Sequence, residues 1–308
     1  MPSVLELSDR YASFLRSPPP SRPIAVSGLC RVCRRFTDGR AICLRCSRQP
    51  RFADAILPIS YSVRYGPLHW ALRAYKDGVP ELRRRFGAEL AAVLWRFLDH
   101  HEACLASAAG APAFDVATTV PSSVAAHDRN HPLRVIVGER VARTAPRHER
   151  LLTVPERDAG ARPARARPAD ASPAGAPPAR ARPPRARVVD HRRFLATRAL
   201  HGEHVLLIDD TWVTGATAQS AAGALKQAGA ATVAVLVIGR HMHAEHARDA
   251  ARLHELRAFS WDRCGLCAEE SAEASQAVDA ADAAEAVEPQ PSPCSSAPLT
   301  EASSALTR

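Results

Sequence analysis

Two groups of residues in this sequence have the types and spacing that do chemistry. The first is the run Val205-Leu206-Leu207-Ile208-Asp209-Asp210-Thr211-Trp212-Val213-Thr214-Gly215-Ala216-Thr217. It reads as a buried four-residue apolar strand, two carboxylates at its C-terminal end, and a small-residue turn leading into a helix. Ligands of open parallel sheets bind beyond the carboxyl ends of the strands, so this turn lies where a ligand sits. Gly215 lets the backbone approach a phosphate, and Thr214 and Thr217 add hydroxyl donors. The helix beginning near Thr217 turns N–H groups and a positive dipole end toward an anion. Asp209 and Asp210 would repel phosphate. Two carboxylates beside a phosphate cradle suit the vicinal hydroxyls of a sugar, or a divalent ion held partly through those hydroxyls. The plain alternative is a strand–turn–helix with a chance acidic pair.

The second group is Cys30-x2-Cys33-x9-Cys43-x2-Cys46. Each Cys-x-x-Cys presents two thiolates, and two such knuckles supply tetrahedral S4 coordination for zinc. Four thiolates leave no open position, so the site would be structural, holding together a short module with few apolar residues. Two dithiol switches are the redox alternative. Arg31, Arg34, Arg35, Arg40, Arg45, Arg48 and Arg51 surround these cysteines, as a nucleic-acid contact or as a solvated basic face. Cys264-x2-Cys267 is a lone pair that cannot by itself complete a zinc site; binding a metal with help from a nearby histidine and acting as a redox pair are the alternatives, and it receives no role, while Cys104 and Cys294 read as incidental. His241, His243 and His246 have a spacing compatible with a metal, but fit the surface start of a helix better.

The elements that must position these residues follow from periodicity. A short helix is expected over Val4 to Leu15 and a strand over Ile56 to Val63. Amphipathic segments are expected over Leu68 to Tyr75 and, as a helix, Pro80 to His100, followed by a loop from Ala103 to Ala113. Phe114 to Val120 reads as a short buried strand, Pro132 to Ala142 as a helix with proline near its start, and Leu151 to Val154 as another short strand. Beyond Val205 to Ile208, a helix is expected over Ala218 to Ala228 with Gly229 at its C-cap, a strand over Thr232 to Ile238, and a helix from about Ala244 to Leu256. Strands alternating with helices between residues 114 and 238 argue for an α/β fold with a parallel sheet flanked by helices.

The 308 residues carry a net charge of +9, but many arginines fall between Arg157 and Arg193. The segment 155–187 is built almost wholly of Ala, Arg, Pro, Gly, Ser and Asp and lacks the apolar surface to offset chain entropy. It reads as a low-complexity insertion or mobile loop. The segment 268–308, rich in Ala, Glu and Ser, reads as a disordered tail. The remaining divisions are an N-terminal segment 1–27, a zinc module 28–50 and a main domain 54–260. No apolar run reaches 18 residues and the N-terminus has no secretory h-region, so membrane insertion is not expected and a cytoplasmic location is.

The segment from Val205 to Thr217 resembles the phosphoribosyl-pyrophosphate (PRPP) motif of type I phosphoribosyltransferases: apolar strand, two acids, variable residues, then Thr-Gly-x-Thr. The resemblance implies ribose and Mg²⁺ contacts for Asp209 and Asp210, and 5′-phosphate contacts for Val213, Thr214, Gly215, Ala216 and Thr217. With the four-cysteine module and Tyr75-Lys76-Asp77-Gly78, the layout looks like the ComF-type competence family, over residues 28–260 without the insertion. It implies a type I phosphoribosyltransferase fold with a small N-terminal zinc module. Pro121, Ser122 and Ser123 resemble its pyrophosphate loop, with Arg129 a diphosphate partner, although Asp128-Arg129-Asn130-His131 departs from the family pattern there. The insertion stands where type I enzymes carry a closing loop, and it is equally a solvated linker. Lys76 reads as an ordinary exposed lysine, with a diphosphate contact or the shielding of negative charge as the rivals. Val213 stands where some purine-salvage members have an acid, which argues against base salvage. The expected activity is transfer of phosphoribosyl to a nitrogen acceptor, with Mg²⁺ and structural zinc as cofactors. The rival is a non-enzymatic PRPP or nucleotide sensor, or a DNA-uptake accessory whose basic zinc module binds DNA or a partner. A homo-oligomer is compatible with either.

Overall fold

Val205, Leu206, Leu207 and Ile208 are all fully buried, as strands covered on both faces require. In the computed structural model the described residues are 2–19, 28–122, 128, 131–155, 188–243, 245–253, 256 and 258–266; they fall in one unit, Met1–Glu269. Strands β1 (Ala55–Val63), β2 (Val116–Thr119), β5 (His204–Trp212) and β6 (Thr232–Met242) form a sheet in the order β1-β6-β5-β2, and every neighbouring pair is parallel. A two-stranded antiparallel ladder, β3 (Leu152–Thr153) with β4 (Leu195–Ala196), flanks the stretch 156–187 in sequence. That stretch, like the expected tail, lies outside the described residues.

Successive side chains of a strand point to opposite faces, and both faces here are apolar. Leu57, Ile59, Leu206, Ile208, Leu236 and Ile238 share one core with helices α1 (Val4–Ala12), α3 (Pro67–Asp77) and α4 (Pro80–Ala108). Ile56, Val205, Leu207, Val235 and Val237 share the other with Ala218, Ala221, Ala222 and Leu225 of α6 (Ala216–Gln227). The small alanines of α6 let its axis approach the sheet closely. A short helix α2 (Leu44–Arg48) lies in the cysteine module, and α7 (Ala247–Leu253) follows β6. No helix among the described residues is long and apolar enough to cross a membrane.

The structure differs from the sequence expectations at several ends. Strand β5 continues past Ile208 because β6 supplies partners: Asp209, Thr211 and Trp212 stand opposite Val237, Gly239 and Arg240. Both carboxylates therefore sit on the strand. Helix α6 begins at Ala216, since Gly215 in the left-handed conformation (φ 79°) already serves as its N-cap. The loop expected from Ala103 is helical to Ala108, where Leu105 and Ala106 are drawn into the core. The single helix expected from Pro132 is one α turn, α5 (Pro132–Val135), then a wider π turn over Ile136–Arg140. Thr144 stabilises that turn by donating its hydroxyl to the Val137 carbonyl (2.6 Å). The last helix, α7, is shorter than the expected span to Leu256.

Gly229 follows α6 at φ 107°, and a Cβ there would lie 2.0 Å from the Leu200 carbonyl oxygen. The Leu200 N–H is meanwhile donated to Ala228 (2.6 Å). Gly229→Ala should therefore cost about 2 kcal/mol, read as a lower midpoint in chemical denaturation; an unchanged midpoint would contradict this close approach.

Candidate functional site

The parallel register places two chain ends side by side. Thr119 of β2 pairs with Ile208, and the Val120 N–H donates to the Ile208 carbonyl at 3.0 Å. Pro121 and Ser122 thus leave β2 beside the point where β5 carries Asp209 and Asp210. The Ser122 N–H donates to Asp128 Oδ1 (3.1 Å), and Arg150 Nη2 donates to Asp128 Oδ2 (2.5 Å). Asp128 is buried, so this ionic anchor holds the segment after β2 in place. Sequence reasoning took residue 128 as part of a departure and missed that role. Ser123 and Arg129 lie outside the described residues.

The two acids are not equivalent. Asp210 is 4 % exposed, and its Oδ2 receives both the Tyr75 hydroxyl and the Lys76 ammonium. Lys76, expected to be an ordinary surface lysine, is instead the counter-charge of a buried carboxylate. Asp209 is half-buried and accepts the Asp210 N–H (2.9 Å). Burial, together with the Asp210 carboxylate, pushes the Asp209 carboxyl up to about 7. His131 precedes α5; burial lowers its pKa, while the Asp210 carboxylate opposes that shift.

The turn after β5 is fixed from beneath. A Cβ on Gly215 would lie 2.0 Å from the Trp212 ring, which is itself buried. Glycine is required there both by its φ and by the ring. The Ala216 N–H, first of α6, donates to Thr214 Oγ1 (3.3 Å), and the N-cap Gly215 offers no side-chain acceptor of its own. Thr214 and Thr217 are half-buried, Ala216 is buried, and Val213 is half exposed at 51 %. The guanidinium of Arg240, 3 % exposed, donates to the carbonyls of Trp212 (2.9 Å), Val213 (3.2 Å), His241 (2.8 Å) and Cys33 (2.9 Å).

That last bond attaches the cysteine module. The sulfurs of Cys30, Cys33, Cys43 and Cys46 all lie within 4.8 Å of one another. Backbone N–H groups point at two of them, from Cys43 to Cys30 Sγ (3.3 Å) and from Cys46 to Cys43 Sγ (3.5 Å). Such donors favour thiolate, and four converging sulfurs form a group that could hold a metal ion, as structural zinc requires. The module is seated on β1 as well: the Tyr61 hydroxyl donates to the Arg34 carbonyl (2.6 Å), and the Phe36 and Tyr61 rings are 5.4 Å apart. Arg34 is buried, whereas Arg31, Arg40, Arg48 and Arg51 are exposed.

A cavity of about 310 Å³ lies between α3, α4 and the α5–π segment, with Arg83, Arg84 and Arg140 in its wall. Tyr75 lines it too while holding Asp210. The Arg83-Arg84-Arg85 run was the available sequence signal, but the run alone gives no hint of Arg140 opposite. His241 and His243 stand at and just beyond the end of β6, not in a helix. The His241 and His243 rings meet edge-on (4.8 Å between centroids), His243 stacks on His246 (5.1 Å), and these histidines do not converge as a metal group among the described residues. No family model, curated protein or solved structure matches the chain.

Two outcomes test this geometry. Arg240→Ala leaves buried carbonyls without their donor and should cost about 3 kcal/mol; Arg240→Lys should not recover it, because a point ammonium cannot replace the planar fork. Equilibrium denaturation of both variants reads this directly. For Asp209, the ordinary carboxyl titrates at 3.8 and the folded one at about 7. The folded state holds the extra proton between those values, so stability is lost as pH rises through that window. Asp209→Asn, which carries no such proton, should gain stability relative to wild type across the window and level off above it. A pH-independent difference would contradict the assignment.

Proposed function

We propose that this chain is a ComF-type phosphoribosyltransferase-like protein that binds PRPP with Mg²⁺ and transfers its phosphoribosyl group to a nitrogen acceptor. The observation that carries the reading is the convergence at the carboxyl ends of β5 and β2. Two carboxylates, a glycine turn opening α6, and the backbone of Pro121 and Ser122 meet there. The turn from Val213 to Thr217 would hold the 5′-phosphate through backbone N–H groups, the two threonine hydroxyls and the dipole of α6. Asp210, fixed by Tyr75 and Lys76, would orient one ribose hydroxyl. Asp209 forms no ion pair among the described residues; the Lys76 ammonium lowers its pKa only in part, and a bound cation would favour its ionised form. A hard divalent ion fits that carboxylate, and when bound it would neutralise the leaving diphosphate.

In the transfer, the C1–oxygen bond of PRPP breaks and pyrophosphate leaves with the electron pair. The acceptor nitrogen forms the new C1–N bond and loses a proton. Charge at the sugar is positive in between, so the protein's contribution is to hold and orient. Val213 cannot take a proton, which suits an acceptor that is already a good nucleophile. Arg83, Arg84 and Arg140 give the neighbouring cavity a lining suited to an anionic acceptor. A second reading draws on the exposed Arg31, Arg40, Arg48 and Arg51 around the thiols: the module would bind single-stranded DNA in a salt-dependent way.

Calorimetric titration of PRPP with Mg²⁺ into the zinc-loaded protein, beside an Asp209→Asn, Asp210→Asn double variant, tests the first reading. Saturable binding that disappears in the variant is expected. A folded wild type that takes up no PRPP would overturn it, and salt-dependent binding of single-stranded DNA would then favour the second.

A further inference from the structure

We propose that His101, Cys104 and Cys264 supply three protein ligands of a second metal site of the zinc class, which joins the segment carrying Cys264 to α4. It is independent of the PRPP reading. Their ligand atoms all lie within 4.8 Å of one another, although Cys264 is far from the other two in sequence. His101 and Cys104 are three residues apart on α4, the spacing that puts two side chains on one helix face. His101 and Cys264 are buried, and Cys104 is half-buried.

Three features distinguish this cluster from thiols that merely pack together. The ligand chemistry is right: imidazole with thiolates is a borderline-soft set that selects zinc in tetrahedral geometry. The sulfur of Cys264 receives a backbone N–H, from Leu266 at 3.3 Å. That is the same kind of support given to Cys30 and Cys43 in the four-cysteine group, and it favours thiolate. Finally, His101 Nε2 lies 2.7 Å from the Trp261 carbonyl oxygen. A histidine that donates one ring nitrogen to a carbonyl has its tautomer fixed, and the lone pair for a metal is then on Nδ1. Metal-ligating histidines are commonly oriented in this way. Cys267, which completes Cys-x-x-Cys spacing with Cys264, lies outside the described residues, and the site stands on the other three.

The role follows from what the metal would join. Residues 258–266 follow α7, and no strand or helix among them secures them. They are held by side chains instead: Trp261 and Cys264 are buried in the core shared with α4, Ala258 bridges to Arg16, and the Arg96 guanidinium lies 4.7 Å over the Trp261 ring. A metal linking Cys264 to α4 would tie that segment down and close a long loop of chain.

Zinc content per chain, measured by elemental analysis of the folded, zinc-loaded full chain, tests the proposal. Two zinc ions are expected for wild type, one for Cys104→Ser with Cys264→Ser, and one for Cys30→Ser with Cys33→Ser. Cobalt substitution adds a second readout: the double variant at Cys104 and Cys264 should lose part of the thiolate-to-cobalt absorption, and His101→Gln should shift its ligand-field bands. If the double variant does not fold, Cys104→Ala, at the half-buried position, gives the same cobalt readout. Wild type with one zinc, zinc content unaffected by the Cys104 and Cys264 changes, or a Cys104–Cys264 disulfide in the purified protein would each overturn the proposal.

Discussion

A single buried guanidinium sets the arrangement of this protein's ends. Arg240 reaches no carboxylate among the described residues; carbonyl oxygens from three separate stretches satisfy it. A buried charge is tolerated only when its donors are matched, so those stretches are held where the guanidinium plane puts them. One is the turn after β5, another the cysteine module, the third the end of β6 itself. Carbonyls drawn toward Arg240 also orient the peptide planes at Trp212 and Val213, at the entrance to the turn that the Gly215 conformation completes. The four-cysteine group and the candidate phosphate turn are thereby joined through one guanidinium.

The acidic pair shows the complementary device. Two adjacent carboxylates on a strand would repel each other, and the fold resolves this asymmetrically. Asp210 is neutralised by Lys76 and fixed by Tyr75, both from the end of α3. Asp209 forms no ion pair among the described residues and holds its proton up to about pH 7. One acid is thus a positioned fixture and the other is responsive to a cation or a hydroxyl. Helix α3, through Tyr75 and Lys76 at its end, supplies the difference between them.

Local signals made part of this legible. Val205 to Thr217 combines an apolar run, acids and a glycine turn within thirteen residues, and the Cys-x-x-Cys pairs declare themselves by spacing. What stayed hidden depends on partners distant in sequence. Nothing near Lys76 indicates a buried carboxylate on β5, and nothing near Arg240 indicates Cys33. Cys104 looked incidental because its neighbours in space are His101, one helical turn away, and Cys264, on a different segment. The ends of β5 and α4 were misjudged for a related reason: β6 and the core extended them beyond what their own residues favour. The type I phosphoribosyltransferase reading rests on the motif and the adjacency of β2 and β5.

The strand order has a consequence for how the chain is made. Strand β1 lies at one edge of the sheet, and its strand partner is β6, the last to be synthesised. Roughly 170 residues separate the two, so at ~5–20 residues per second a ribosome needs on the order of ten seconds or more to deliver the partner. During that interval Ile56, Leu57 and Ile59 have no neighbouring strand, and the cysteine module beside them lacks Arg240. A module cross-linked by its own metal would keep its shape through this wait without help from the sheet. The nascent chain would then bring a finished piece to the sheet, and completion of β6 would be the docking event.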